Sequence, residues 1–153
     1  MKIVIVGCGR VGAVLAETLD HDGHEVIIID LVTRAFDRLP DDFKGQAIRG
    51  DGTDEGTLRR VGATGADVLL ALTEGDNRNV MAAQVALESL DIKKAMAKVN
   101  DPVRAAAYAE LGVATICRTT LMVDALQGFL GLAPTGLPSI IPAVAPHHGP
   151  REA

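Results

Sequence analysis

An apolar run, Lys2-Ile3-Val4-Ile5-Val6, leads without a gap into Gly7-Cys8-Gly9-Arg10-Val11-Gly12. This G-x-G-x-x-G order restricts the fold more than any other feature, because it calls for a strand that turns sharply into a helix. Val11 to Leu19 has helical spacing, and a second apolar run, Glu25 to Ile29, ends on Asp30. Asp30 lies 23 residues after Gly7, close to the usual interval of ~20. Strand, glycine turn, helix, strand and terminal acid come in the order that a nucleotide's diphosphate and ribose require.

Each residue then has a separate job. Gly7 lets the chain turn where a Cβ would clash. Gly9 leaves room for a phosphate beside the backbone, and Gly12 lets the helix lie close to the sheet. The first amides of that helix have no partner inside it, and the helix dipole places partial positive charge there. A docked anion satisfies both. Asp30 can accept hydrogen bonds from both ribose hydroxyls and would repel a 2′-phosphate, which disfavours NADP. Arg34 is near enough in sequence to soften that exclusion. A strand-to-helix turn without a ligand would also use these glycines; the flanking elements and Asp30 favour the ligand.

The chain has 153 residues, which suits one domain. Apolar residues make up 48% and aromatics 3%, so aliphatic side chains must fill the core, as in parallel sheets covered by helices. Net charge is −5, with no basic tract, so a nucleic-acid surface is not expected. Cys8 and Cys117 make no disulfide framework, and a reducing compartment fits them. Cys8 suits the glycine turn as a small apolar side chain; a redox role is the alternative. No signal peptide and no membrane insertion are expected.

Strands are predicted at 2–6, 25–30, 46–49, 67–72, 94–99 and 113–116. Helices are predicted near 10–21, 32–39, 54–61, 77–90, 102–110 and 119–131. Gly23 ends the first helix in a left-handed conformation. Thr53 caps the third helix, with Asp54 and Glu55 at its positive end. Asp101-Pro102 is an N-cap followed by proline at the first helical position. The alternation implies an α/β fold with a doubly wound parallel sheet, Rossmann-like, in the order 3-2-1-4-5-6. Ligands of such sheets sit at the carboxyl ends of the strands, where the order reverses. That rule selects Gly50-Asp51-Gly52-Thr53 after the third strand, Leu72-Thr73-Glu74-Gly75-Asp76-Asn77 after the fourth, and Lys98-Val99-Asn100 closing the fifth. Asp51 would meet the adenine edge, Thr73 and Asn77 the ribose or phosphates, and Lys98 phosphate charge. Ordinary turn chemistry accounts equally for the Gly, Asp, Thr and Asn residues. Arg10 and Lys98 lie on the predicted rim, where a nucleotide's charge needs compensation.

In the last predicted helix, Leu121, Met122, Ala125, Leu126, Phe129 and Leu130 form a stripe wider than one sheet edge requires. Part of it is expected to pack against another chain; burial within its own subunit is the alternative. Five of the seven prolines lie at 134, 138, 142, 146 and 150. Residues 133–153 therefore read as an extended or disordered tail. Its His147-His148 pair lacks further metal ligands.

The Gly7–Gly12 turn, Gly23-His24-Glu25-Val26 running to Asp30, and Gly50-Asp51-Gly52-Thr53-Asp54 resemble a known family. The resemblance continues through Ala66-Asp67, Ala71-Leu72-Thr73, Asp76-Asn77, Ala97-Lys98-Val99 and Leu111-Gly112-Val113, covering about residues 1–131. The family is the RCK-N, KTN or TrkA-N nucleotide-binding domain of potassium-transport regulators. The resemblance implies a non-enzymatic, cytoplasmic regulatory domain, with residues 1–131 as one unit and 132–153 as a tail. It also implies binding of NAD(H) or ATP/ADP and homodimers through helix 119–131 that build toward rings. The ring would sit beneath a membrane potassium channel or transporter and change its gating. In those terms Gly7, Cys8, Gly9, Val11 and Gly12 would hold the phosphates, and Asp30, with Leu31 and Arg34 beside it, the ribose. Leu72 and the residues after strands three and four would line the rest, and Arg10 would reach terminal phosphates. Two departures stand out. The family commonly has arginine where this chain has Lys98, which cannot make the same bidentate contact. Where the family has a small C-terminal RCK-C domain this sequence has the proline-spaced tail, which fits either a natural single-domain form or a truncated one. The rival expectations are a small NAD(P)-dependent oxidoreductase and a stand-alone NADH/NAD redox sensor; no histidine lies at a predicted strand end to serve the former.

Overall fold

The computed structural model describes residues 1–144, which fall into two compact units divided between Lys98 and Val99. In the first unit, β1 (Lys2–Val6), β2 (Glu25–Asp30), β3 (Gln46–Arg49), β4 (Val68–Ala71) and β5 (Ala95–Val99, ending at the boundary) run parallel in the order β3-β2-β1-β4-β5. The fold class is the expected one, a doubly wound, Rossmann-like parallel sheet. Val6 pairs with Ile29 on one side and Ala71 on the other, so the order reverses at β1.

The strands are apolar on both faces because both are covered. Ile3, Ile5, Val26 and Ile28 pack with Ala13 and Ala16 of α1 (Arg10–His21). The alternate residues Val4, Val6, Ile27, Ile29, Leu69 and Ala71 are buried as well. Each fully buried isoleucine contributes ~1.5–3 kcal/mol, which is how a chain poor in aromatics builds a core. On that side the unit places α2 (Glu55–Arg60) and α3 (Asp76–Ser89), whose Val80, Ala82, Ala83 and Ala86 are buried.

Local stops follow the sequence in most places. Gly23 has φ +82°. Its amide donates to Asp20 O and that of His24 to Leu19 O, both at 3.0 Å, closing α1 as predicted. The cap of α2 is a correction: Asp54, not Thr53, accepts the Thr57 amide, at 2.7 Å. Thr53 is taken instead by a turn centred on Asp51. The segment predicted as a helix near 32–39 is a 3₁₀ turn, Thr33–Arg38. Leu39 is extended, at ψ 146°, because the ring of Pro40 disfavours a helical residue before it.

The second unit contains α4 (Pro102–Glu110), β6 (Ala114–Cys117), α5 (Arg118–Phe129) and β7 (Ile140–Ile141). Asp101 Oδ1 accepts the Val103 amide at 2.9 Å, the predicted cap. β7 was not foreseen. It pairs antiparallel with β6, Ile140 opposite Ile116, because both its residues lie between Pro138 and Pro142 and keep their amides. Residues 133–144 are held at further points. Thr135 donates its amide and hydroxyl to Asp124 Oδ1, each at 2.8 Å, and Val144 donates its amide to Ala109 O at 2.9 Å. His147 and His148 lie outside the described residues. Of α5 only Thr120 is buried. Met122, Leu126, Phe129 and Leu130 are exposed, Phe129 to 88%. No helix of the described residues is long and apolar enough to cross a membrane.

Candidate functional site: a crevice at the glycine turn

A cavity of about 820 Å³ opens in the first unit where β1, β2 and β4 end. Its floor is the glycine turn. Gly7 has φ +108°, and a Cβ there would stand 2.9 Å from the Thr73 amide nitrogen, so the turn lies directly on the chain leaving β4. A Cβ on Gly12 would run into the Gly7 carbonyl oxygen. A Cβ on Gly9 would meet nothing within 4 Å. Sterics inside the fold therefore require Gly7 and Gly12 but not Gly9, whose missing side chain leaves open space at the crevice.

The first bond inside α1 runs from the Ala13 amide to Gly9 O, at 2.9 Å. The amides of residues 10–12 precede it, Gly9 supplies no side-chain cap, and the first turn has no acidic residue. The end of α1 thus keeps its donors and its dipole for an external anion. Asp30 braces the turn: Oδ2 accepts the Cys8 amide at 2.8 Å and Oδ1 the Val32 amide at 2.9 Å. Each oxygen retains a lone pair for a hydroxyl donor. The Cys8 thiol, fully buried, donates to Ala35 O at 3.4 Å. Burial, and then the negative charge of Asp30, push its pKa up to about 11 against the pull of Arg38. The thiol stays protonated near neutrality, which removes the thiolate that redox chemistry needs.

Opposite the turn, Asp51 Oδ1 accepts from the Thr53 amide (2.9 Å) and hydroxyl (2.7 Å), with Arg78 Nη2 at 3.5 Å. The Thr53 hydrogen bonds, aided by Arg78, hold the Asp51 carboxyl below its usual range. Thr73 donates its amide and hydroxyl to Asn79 Oδ1, at 2.8 and 2.6 Å. Asn79 Nδ2 returns bonds to Thr73 O and Lys98 O, both at 2.9 Å.

Of the predicted residues, Gly7, Cys8, Gly9, Asp30, Leu31, Arg34, Asp51, Gly52, Thr53, Leu72 and Thr73 line this one cavity. Arg10, Val11, Gly12, Asn77 and Lys98 are not among its lining residues. Gly12 is buried beneath the turn, while Arg10 and Val11 are exposed at the start of α1. Lys98 is buried, its Nζ 3.2 Å from Glu74 Oε1. The asparagine that positions Thr73 is the fully buried Asn79, two residues beyond the predicted Asn77. Arg38 and Arg78 also line the cavity and were missed; Glu74, within the segment expected after the fourth strand but given no role there, lines it too. Helical spacing carried the signal for Asn79, since it falls with Val80 and Ala83 among the buried residues of α3.

The residues present fit a nucleotide: a diphosphate at the α1 end, a sugar at Asp30, and a volume within the ~300–1,000 Å³ of small-ligand sites. A family model described as the TrkA-N domain matches residues 3–119. The chain is 40% identical over 136 residues to the Trk system potassium uptake protein TrkA of Streptomyces coelicolor (strain ATCC BAA-471 / A3(2) / M145). That match takes in 89% of this chain and 60% of the Streptomyces protein, so the chain spans well under the full length of this relative. Among solved structures, the Shewanella denitrificans Kef CTD in AMP-bound form matches with a TM-score of 0.67 at 22% identity, over 88% of this chain and 85% of that one. The GsuK channel bound to NAD matches with a TM-score of 0.67 at 18% identity, over 83% of this chain and 23% of that one.

Proposed function

The chain belongs to the TrkA-N domain family, and from that premise we propose that it is the nucleotide-sensing part of a potassium-transport regulator. Its crevice binds NAD(H) or ATP/ADP, and the bound state is coupled to the gating of a membrane potassium transporter or channel at the cytoplasmic face. The observation that carries this reading is the open space at Gly9 beside the uncapped amides of α1, with Asp30 fixed at the rim. Support also comes from the Streptomyces relative, named as a potassium uptake protein. The AMP and NAD of the two solved proteins of this fold share an adenosine 5′-phosphate.

The role is binding, not catalysis. The crevice offers uncapped amides, a bracing carboxylate and guanidinium groups, which suit holding a nucleotide's phosphates and sugar. Domain 1–131, with α5 as its dimerising element, transmits the ligand state. A ligand shifts such an equilibrium only through unequal affinity for its two states. Arg10, exposed at the start of α1, supplies that inequality by meeting terminal phosphates. Mass spectrometry of the ligand retained through native purification tests the reading. An adenine nucleotide at near one per chain is the expected result; a purified protein that retains none and takes up none of NAD, NADH, ADP or ATP opposes it.

A further inference from the structure

The chain leaving β4 carries Glu74, which pairs with Lys98 of β5. Gly7 lies on Thr73, and Glu74 follows it, so Glu74 belongs to the cavity wall beside the glycine turn. Its Oε1 stands 3.2 Å from Lys98 Nζ. The two side chains differ sharply in burial, 8% exposed for lysine and 80% for glutamate. A desolvated ammonium needs an anion beside it, whereas an exposed carboxylate is stable in water without one. Glu74 therefore lines the cavity while pairing with a buried cation that does not line it.

The geometry points to Glu74 as a charge gate that sets how many phosphates the crevice accepts, a role that rests on the nucleotide reading above. An adenosine monophosphate fills the α1 end and leaves the pair intact. A longer phosphate chain meets the Glu74 carboxylate and must take its place on Lys98. That exchange replaces one anion by another on Lys98 and breaks the Glu74–Lys98 pair. Glu74 is thus a specificity-determining residue acting against triphosphates.

Calorimetric titration of AMP, ADP and ATP into the wild-type chain and Glu74→Gln tests this. Removing the carboxylate should tighten ATP about tenfold, ADP by less, and AMP by under about twofold. Glu55→Gln, which removes a carboxylate paired with Arg59 but absent from the cavity lining, should leave all three affinities unchanged. Glu74→Asp, which keeps the charge on a shorter arm, should keep the wild-type preference to within about threefold. Equal shifts for the three nucleotides, or no shift, would overturn the gate while leaving the nucleotide site intact. No binding of any nucleotide to any variant would overturn the site itself, and the gate with it.

Discussion

The glycine-turn crevice and the α5 helix are both incomplete, in opposite ways. At the crevice the deficit is polar: amides ahead of the first α1 bond, a bracing carboxylate with lone pairs left, and guanidinium groups around a cavity. At α5 it is apolar: Phe129, Leu130, Met122 and Leu126 lie in solvent and Thr120 alone is buried. Orphan donors at a helix end are directional and ask for an anion at one place. Apolar area is non-directional and asks only to be covered. The first deficit therefore specifies a ligand's chemistry, whereas the second specifies a contact without naming its partner.

The sharpest way to break the contrast is within the turn itself. Gly12→Ala should cost at least ~3 kcal/mol in urea unfolding, since its methyl meets the Gly7 carbonyl rather than a side chain that can move. A cost under ~1 kcal/mol would mean the turn is looser than described. Gly9→Ala should leave stability within ~0.5 kcal/mol but weaken ADP and NAD by about thirtyfold, roughly 2 kcal/mol, because its methyl occupies only ligand space.

A third test uses pH. The Cys8 pKa rises from 9.0 to about 11 on folding. The folded state keeps a proton that the unfolded chain releases, so this contribution is full below pH ~9 and is lost as the pH climbs toward ~11. Stability should fall by on the order of 2 kcal/mol more across that range in the wild type than in Cys8→Ala, measured by urea denaturation at each pH. The smallest stability effect belongs to α5. Phe129→Ser should alter the free energy of unfolding by under ~0.5 kcal/mol, because the ring has little to lose. If α5 forms the dimer, the same change should lower the mass seen by light scattering. A dimer that persists unchanged would remove α5 from the interface.

The two regions also differ in how much the sequence disclosed. The crevice was legible because its determinants are local: G-x-G-x-x-G, the strand ending on Asp30 and the Asp51-Gly52-Thr53 turn each specify a backbone path within a few residues. The order β3-β2-β1-β4-β5 follows from the alternation of apolar runs with helical spacing. What escaped depends on long-range neighbours. Asn79 matters because Thr73 and Lys98 carbonyls converge on it; helical spacing places it on the buried face of α3, but those two partners come from elsewhere in the chain. Lys98 reads as a rim cation but is buried against Glu74, a fact of packing between β5 and the chain after β4. Thr53 and Asp54 compete for one cap, and the outcome turns on Asp51, which engages the Thr53 hydroxyl. β7 was hidden by its prolines, which flank the paired residues without interrupting them.

Competition calorimetry on the full chain tests the central claim most directly. With ADP and NAD titrated singly and then each against the other, both should bind once per chain and exclude one another. Gly9→Ala, equally stable, should weaken both together. Simultaneous occupancy, or a Gly9→Ala protein that binds as tightly as the wild type, would contradict a shared diphosphate seat at the amides of α1.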